Sequence, residues 1–124
     1  MSEVDILVAD DEPYIIRALS FIFEREGFSF QTARDGEEAL KKTYKLRPKI
    51  IFLDITMPKK NGFEVCSEIK SDPEIKGSYV AMFTAKGQED DKRRAMLYGA
   101  DEYITKPFSP VEIISKVKGL LTSL

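Results

Sequence analysis

Acidic side chains follow directly on two apolar segments of this sequence: Asp10, Asp11 and Glu12 come after ILVA, and Asp54 ends IIFLD. If the two segments are neighbouring strands, Asp10, Asp11 and Asp54 share one pocket. Two carboxylates about 4 Å apart repel by about 4 kcal/mol at an effective dielectric constant of about 20, so the pocket holds either a proton or a cation. Mg²⁺ suits it, because this ion takes oxygen ligands and leaves positions for phosphate oxygens. The pattern therefore predicts a Mg²⁺ site at which a phosphoryl group binds.

The composition excludes several other kinds of site. The chain has no histidine and one cysteine, Cys66, so it cannot form a Ser-His-Asp triad, a Cys-His pair or a zinc site of Cys and His ligands. It also lacks the glycine-rich motifs that bind nucleotide phosphates. Any metal site must therefore use oxygen ligands, which bind hard cations.

The size and charge of the chain set further limits. Its 124 residues, 43% of them apolar, suit one domain over 1–124 with a hydrophobic core. The net charge of −2, from 19 basic and 21 acidic residues, argues against direct binding of nucleic acid. No apolar run approaches the roughly 18 residues of a membrane span, and the first residues lack a signal-peptide pattern. Together with the single cysteine, these features predict a cytoplasmic protein without membrane contact.

Strand and helix patterns alternate five times along the chain. The predicted strands are short and apolar, at 4–9, 28–32, 50–54, 79–85 and 101–105. The predicted helices follow them, at 13–26, 35–46, 63–71, 88–98 and 109–124. This alternation predicts an α/β fold in which helices cover both faces of a parallel sheet.

The carboxyl ends of parallel strands meet at one edge of the sheet. In a doubly wound, flavodoxin-like sheet of five strands in the order 2-1-3-4-5, ligands bind at that edge. Strands one and three are then neighbours about 4.8 Å apart, which brings the three aspartates together. The polar residues at the predicted strand ends are Asp10, Asp11, Asp54, Thr84 and Lys106.

Each of these residues has a simpler explanation when it is taken alone. Acids before Pro13 could cap the first helix, and acids, hydroxyls and amines are common in turns and caps. The residues open to such explanations are Asp11, Glu12, Asp54, Asn61, Thr84 and Lys106. Their common placement on one edge favours a functional site.

Four motifs resemble one known family. VADDEP, FLDITMPKKNGFE, MFTA and YITKPFSP stand in the order and at the spacing of the receiver domain of two-component response regulators, of the chemotaxis-type single-domain kind. The resemblance covers essentially the whole chain. It implies a phosphorylation-activated switch that catalyses its own aspartyl phosphorylation and slow dephosphorylation, and not a turnover enzyme on an external substrate.

The resemblance implies a role for each residue of the site. Asp54 would take a phosphoryl group from a histidine of a partner kinase, and Lys106, in its protonated form, would contact that group. Mg²⁺, for which Mn²⁺ can substitute, would be held by Asp10, Asp11, Asp54 and the backbone carbonyl of Thr56, with Asp10 acting partly through water.

The resemblance also implies a switch. A bound phosphoryl group adds about −1.5 to −2 units of charge and three acceptor oxygens. Thr84 would move to donate a hydrogen bond to it, and Tyr103 would turn into the vacated volume, although alone Tyr103 would be interpreted as a half-buried strand aromatic. Thr56 and Lys86 would flank the path of the water that attacks the acyl phosphate. The Lys106–Pro107 bond would be cis.

The partners implied are a histidine kinase or a histidine phosphotransfer protein, and a downstream protein target or output domain. The target would bind the face formed by helix four, strand five and helix five. The expected state is a monomer or a weak phosphorylation-dependent dimer. Favourable placement in the helix field explains most charges on helix four, and Val111 stands where many dimerising relatives have a basic residue. The residues that could pair in a dimer are Lys92, Arg93, Arg94, Asp101, Lys116 and Lys118.

Other classes of function fit the residues less well. A phosphatase of the haloacid-dehalogenase type would need a second Asp two residues after Asp54, where this chain has Thr56. A flavodoxin-like electron carrier would need a phosphate-binding loop in place of the acidic DDEPY. A pseudo-receiver would lack the chemistry, whereas Asp11, Asp54 and Lys106 are present. The chain is expected to be a stand-alone regulator or part of a longer one, and the helical end KGLLTSL favours the former.

Overall fold

A computed structural model of the chain describes residues 4–85 and 88–123. Strands and helices alternate throughout this part of the chain. The strands are β1 (Ile6–Ala9), β2 (Phe30–Ala33), β3 (Ile50–Asp54), β4 (Tyr79–Ala85) and β5 (Glu102–Lys106). The helices are α1 (Pro13–Glu26), α2 (Gly36–Leu46), α3 (Gly62–Ser71), α4 (Glu89–Leu97) and α5 (Pro110–Ser123).

The five strands form one parallel sheet in the order β2-β1-β3-β4-β5, which confirms the predicted fold. The register aligns the carboxyl ends of the strands. Ala9 pairs with Leu53, Asp54 pairs with Phe83, and Ala85 pairs with Lys106. Side chains that follow β1 and end β3, β4 and β5 therefore meet at one edge of the sheet.

Alternate residues of the central strands feed two separate cores. On one face, Ile6, Val8 and Phe52 pack with α1 and α5, and on the other face, Leu7 and Leu53 pack with α2, α3 and α4. Because both faces of the sheet are covered, every residue of β1 and β3 is buried. This explains why these strands are apolar runs and not alternating patterns.

A line of phenylalanine rings crosses the core on the α1 and α5 face. The ring centroids of Phe23 and Phe52 are 6.0 Å apart, those of Phe52 and Phe83 are 5.7 Å apart, and those of Phe83 and Phe108 are 5.3 Å apart. Such pairs add to the free energy gained by burying the rings. The ring contacts of Phe83 hold the carboxyl end of β4 against the core, and Thr84 is the next residue of the strand.

The two edge strands differ from their predicted bounds. β2 begins at Phe30 instead of residue 28, because Gly27 is in the left-handed conformation (φ 75°) and Phe28 donates its backbone N–H to the Phe23 carbonyl, which closes α1. β5 is shifted by one residue, so that Lys106 is its last residue and not the first one after it. β1 is shorter than predicted and starts at Ile6.

Helix α4 is the least buried of the helices whose side chains the structure describes in full. Among the residues of α4, only Ala95 is buried. Gln88 and Tyr98, which the sequence pattern predicts to be helical, lie just outside the two ends of the helix. In the described part of the chain, no helix has the length and apolar character needed to cross a bilayer.

Candidate functional site

Two aspartates lie at the ends of neighbouring strands and are buried. Asp10 follows β1 and has no exposed surface, and Asp54 ends β3 and is 7% exposed. One oxygen of Asp10, Oδ1, accepts a hydrogen bond of 2.9 Å from the backbone N–H of Glu12. The Asp54 carboxylate faces a cleft of about 330 Å³ at the carboxyl edge of the sheet. Other residues that line this cleft are Asp11, Glu12, Thr56, Phe83, Thr84, Ala85, Asp91 and Lys106.

The Lys106 ammonium, at the end of β5, pairs with three carboxylates. Its Nζ lies 2.9 Å from Oε1 of Glu12, 3.0 Å from Oδ2 of Asp10 and 3.3 Å from Oδ1 of Asp54. The same nitrogen lies 5.5 Å from the centre of the Phe83 ring, within the range of a cation–π contact. One cation therefore links residues that are up to 96 positions apart in the sequence.

Burial and the neighbouring charges shift the pKa values of the residues in the site. Burial, followed by repulsion from Asp10, raises the pKa of Asp54 to about 7, although Lys106 acts in the opposite direction. Burial also raises the pKa of Asp10. Burial would by itself lower the pKa of Lys106, but its hydrogen bonds to Glu12 and Asp10 and the charge of Asp54 raise it above the ordinary lysine value. Lys106 is therefore protonated, which is the state that contact with an anionic group requires.

A hydroxyl group lies buried beside the carboxylates without a hydrogen-bond partner. Thr84 is 1% exposed and lines the cleft, and among the described residues its Oγ1 is the buried side-chain polar atom that lacks a partner. Burying an unpaired hydroxyl costs free energy, so such atoms are rare in folded proteins. The unpaired donor is available to an oxygen atom that enters the cleft.

The acidic side chains provide a donor set that fits a hard divalent cation. Asp10, Glu12 and Asp54 each offer one carboxylate oxygen, and these oxygens lie within 4.8 Å of one another. Asp11 is exposed and lines the same cleft, but its oxygens are outside this group. The raised pKa of Asp54 reflects unfavourable negative charge, which a cation would relieve.

Comparison with known proteins identifies the family. The profile of the response regulator receiver domain matches residues 6–118 of the chain. The chain belongs to the response regulator receiver domain family. This confirms the resemblance carried by the four sequence motifs. Receiver domains are signalling switches that do not turn over an external substrate.

Relatives of this receiver domain occur in different kinds of protein. The alkaline phosphatase synthesis transcriptional regulatory protein PhoP of Bacillus subtilis is 45% identical over 116 residues, which cover 94% of this chain and 48% of PhoP. The chain spans about half the length of the curated relatives it matches. The solved structure of chemotaxis response regulator CheY4 of Vibrio cholerae has 28% identity and a TM-score of 0.85, covering 94% of this chain and 98% of that one.

A more distant structure has the same fold. The receiver domain of sensor histidine kinase PA1611 from Pseudomonas aeruginosa, solved with a magnesium ion coordinated in its active site cleft, is 20% identical with a TM-score of 0.87, covering 96% of this chain and 98% of that one. At this identity the likeness concerns the fold alone.

The remaining residues with a predicted role in the receiver domain lie in different surroundings. Tyr103 in β5 is 42% exposed, and Lys92 Nζ lies 5.1 Å from the centre of its ring. Thr56 is exposed and lines the cleft. The Lys106–Pro107 peptide bond is cis. Lys86, predicted beside the path of an attacking water, lies outside the described residues.

Glu12 is a member of the receiver domain's acidic group that the sequence patterns did not single out. Its position just before Pro13 was also compatible with capping α1, but its side chain makes no capping hydrogen bond and reaches Lys106 instead. The available signal was the third acid in a row after β1. Lys106 lies 94 residues further along the chain, so local sequence patterns cannot predict its contact with Glu12.

The loop between β3 and α3 holds the receiver domain's Asp54 in place. Asn61 and Gly62 do not form a simple turn. The Asn61 side chain caps α3 by accepting the backbone N–H of Glu64, and Gly62 donates its N–H to the Ile55 carbonyl at 2.7 Å. A Cβ atom on Gly62 would lie 2.3 Å from the backbone oxygen of Asp54, so only glycine permits this close approach.

Proposed function

We propose that this receiver domain accepts a phosphoryl group on Asp54 from a phosphohistidine of a partner protein and passes the signal on through a changed surface. The observation that carries the proposal is the buried Asp54 carboxylate beside the protonated Lys106 ammonium at the carboxyl edge of the sheet. The donor would be a histidine kinase or a histidine phosphotransfer protein.

The transfer places specific demands on Asp54 and Lys106. A carboxylate oxygen of Asp54 forms the new P–O bond as the P–N bond to the histidine ring breaks, and the ring nitrogen keeps the electron pair. Asp54 must be ionised to act as the nucleophile, so the burial and the Asp10 charge that raise its pKa to about 7 have to be offset. The Lys106 ammonium stabilises negative charge on the transferred group.

The proposed cofactor is Mg²⁺, with Mn²⁺ as a substitute. The residues that would hold it are Asp10, Asp11, Asp54 and the backbone carbonyl of Thr56. When bound, the ion supplies neutralisation of carboxylate and phosphoryl charge. Oxygens of Asp10 and Asp54 that lie within 4.8 Å of one another support the proposal, and the magnesium ion of the PA1611 receiver domain occupies an active site cleft in the same fold.

The proposed switch starts at Thr84. Its unpaired hydroxyl would donate a hydrogen bond to a phosphoryl oxygen on Asp54, which satisfies both groups. The movement would leave volume that the half-exposed Tyr103 ring enters, and the face of α4, β5 and α5 would change. Thr84 lies near the carboxyl end of β4 and pairs with Thr105 of β5. This direct connection between the two strands supports the proposed route.

The partners and oligomeric state of the chain follow from that face. In the structure, five of the charged residues that could pair in a dimer have ion-pair partners within the chain: Lys92 with Glu89, Arg93 with Asp90, Asp101 with Lys70, Lys116 with Glu102 and Lys118 with Glu26. The sixth, Arg94, lies over the Phe63 ring, with its guanidinium carbon 4.2 Å from the ring centre. The proposed state is a monomer or a weak phosphorylation-dependent dimer. The proposed partner of this face is a downstream target protein or an output domain. The proposed location of the protein is the cytoplasm.

The decisive experiment is intact mass spectrometry after incubation with acetyl phosphate, with and without Mg²⁺. The wild-type chain should gain one phosphoryl group only when Mg²⁺ is present, and Asp54→Asn should gain none. Asp72→Asn, which changes an aspartate far from the cleft in the same way, is the matched control and should label as wild type does. Labelling of Asp54→Asn at the wild-type rate, or no labelling of a wild-type chain shown to bind Mg²⁺, would overturn the proposal.

A further inference from the structure

The Lys106 ammonium and a divalent cation compete for the same place. Lys106 Nζ lies within 3.3 Å of oxygens of both Asp10 and Asp54, and these carboxylates are proposed ligands of Mg²⁺. A cation bound between them repels the ammonium strongly, because both carry positive charge in a partly buried site. Binding of the metal therefore requires Lys106 to move away from at least part of this carboxylate group.

Glu12 is the carboxylate that can keep the ammonium after such a move. It makes the shortest of the three ion pairs, at 2.9 Å, and its side chain is 38% exposed, whereas that of Asp10 is fully buried. Glu12 therefore lies at the rim of the cleft and not at its floor.

We propose that Glu12 is a positioning residue that holds the Lys106 ammonium at the rim of the cleft while a divalent cation occupies Asp10 and Asp54. This inference rests on the proposed function. In this arrangement Glu12 does not bind the metal. It removes the competing cation from the ligands and leaves Lys106 within reach of a phosphoryl group that enters the cleft.

The inference makes a specific statement about Glu12→Gln. Without the Glu12 charge, the partners left to Lys106 among these carboxylates are Asp10 and Asp54, so the ammonium competes more strongly with the metal. Lys106→Met removes the competitor and keeps the length of the side chain. The loss of metal affinity caused by Glu12→Gln should therefore be larger when Lys106 is present than when it is absent.

The test is a double-mutant cycle of Mg²⁺ affinity, measured by titration calorimetry at about 0.15 M salt so that distant charges are screened. Glu12→Gln should weaken Mg²⁺ binding by about three- to fivefold, the size typical of a partly exposed ion pair. In the Lys106→Met background the same change should have a clearly smaller effect. Glu112→Gln, an exposed glutamate on α5, controls for the loss of one negative charge and should leave the affinity unchanged.

The results separate this inference from the proposed function. An effect of Glu12→Gln that is equal or larger in the Lys106→Met background would make Glu12 a metal ligand and overturn the inference. No effect in the wild-type background would also overturn it. In both cases, Mg²⁺-dependent labelling of wild-type Asp54 by acetyl phosphate would leave the proposed function intact. A wild-type chain that binds no Mg²⁺ would overturn both.

Discussion

The three carboxylates around Lys106 differ in their surroundings, although all three pair with the same ammonium. Asp10 is fully buried and its Oδ1 already accepts a backbone N–H, so it is fixed. Asp54 is nearly buried and its pKa is raised to about 7, so its negative charge is costly to maintain. Glu12 lies at the rim of the cleft, where its side chain is 38% exposed. Similar groups therefore suit different tasks, which are binding, reaction and positioning.

The Thr84 hydroxyl allows a test at the level of one atom. Thr84→Val keeps the shape of the side chain and removes a buried polar atom without a partner, so it should raise the free energy of unfolding by about 1 kcal/mol. It should also abolish the phosphorylation-dependent chemical shift changes on α4 and β5. Urea denaturation and NMR measure the two effects.

Thr43→Val is the matched control for this prediction. Thr43 is also buried, but its hydroxyl donates a hydrogen bond of 2.7 Å to the Ala39 carbonyl. The same substitution should therefore destabilise the chain at this position. If Thr84→Val lowers the free energy of unfolding as Thr43→Val does, the Thr84 hydroxyl has a hydrogen-bond partner in solution. It would then not be an unpaired donor for a phosphoryl oxygen.

At the level of elements, the site depends on how closely α3 approaches the end of β3. Gly62→Ala would place a Cβ atom 2.3 Å from the Asp54 backbone oxygen, so α3 or the strand end must move. We expect a loss of about 2 kcal/mol or more in the free energy of unfolding, together with slower phosphorylation of Asp54. Urea denaturation and acetyl phosphate labelling measure these effects.

Gly119→Ala in α5 is the control for this substitution. A Cβ atom at Gly119 meets no other atom within 4 Å, so alanine should stabilise the helix by about 0.5–1 kcal/mol. A Gly62→Ala variant as stable as wild type would show that the contact between α3 and β3 relaxes without cost.

The elements that could be predicted from sequence differ physically from those that could not. β3 is buried on both faces, so its apolar run marks its bounds correctly, at 50–54. β2 and β5 lie at the two edges of the sheet and are partly exposed, so their patterns are weaker and their predicted bounds are displaced. The placement of Asp54 and Lys106 at the carboxyl edge of the sheet could be predicted, because both residues lie at the ends of strands that the apolar pattern reveals. The role of Glu12 could not, because it depends on the path of a side chain across the sheet edge.

At the level of the whole molecule, Asp54 makes stability depend on pH in the metal-free state. Its pKa is about 7 in the folded chain against an ordinary value near 3.8, so the folded state binds this proton more tightly than the unfolded state. The stabilisation is therefore full below pH about 4 and is lost as the pH rises through about 7. Asp54→Asn, which has no charge to lose, should be more stable than wild type by about 1 to 3 kcal/mol at pH about 8.

Urea denaturation of both proteins from pH 5 to 8, with a chelator present, measures this difference. The gap should grow as the pH rises, and saturating Mg²⁺ should narrow it by stabilising wild type alone. Stability curves that stay parallel across this range would contradict the raised pKa of Asp54.

The order of the strands along the chain has a consequence for biosynthesis. Asp10 and Asp54 belong to the first half of the chain, but Lys106 ends β5, the last strand in the described part of the chain, and its contact with Asp10 spans 96 residues. While the protein is being synthesised, the acidic residues are present long before the lysine that completes the site. A ribosome-bound chain therefore cannot assemble the complete site until β5 has emerged and paired with β4.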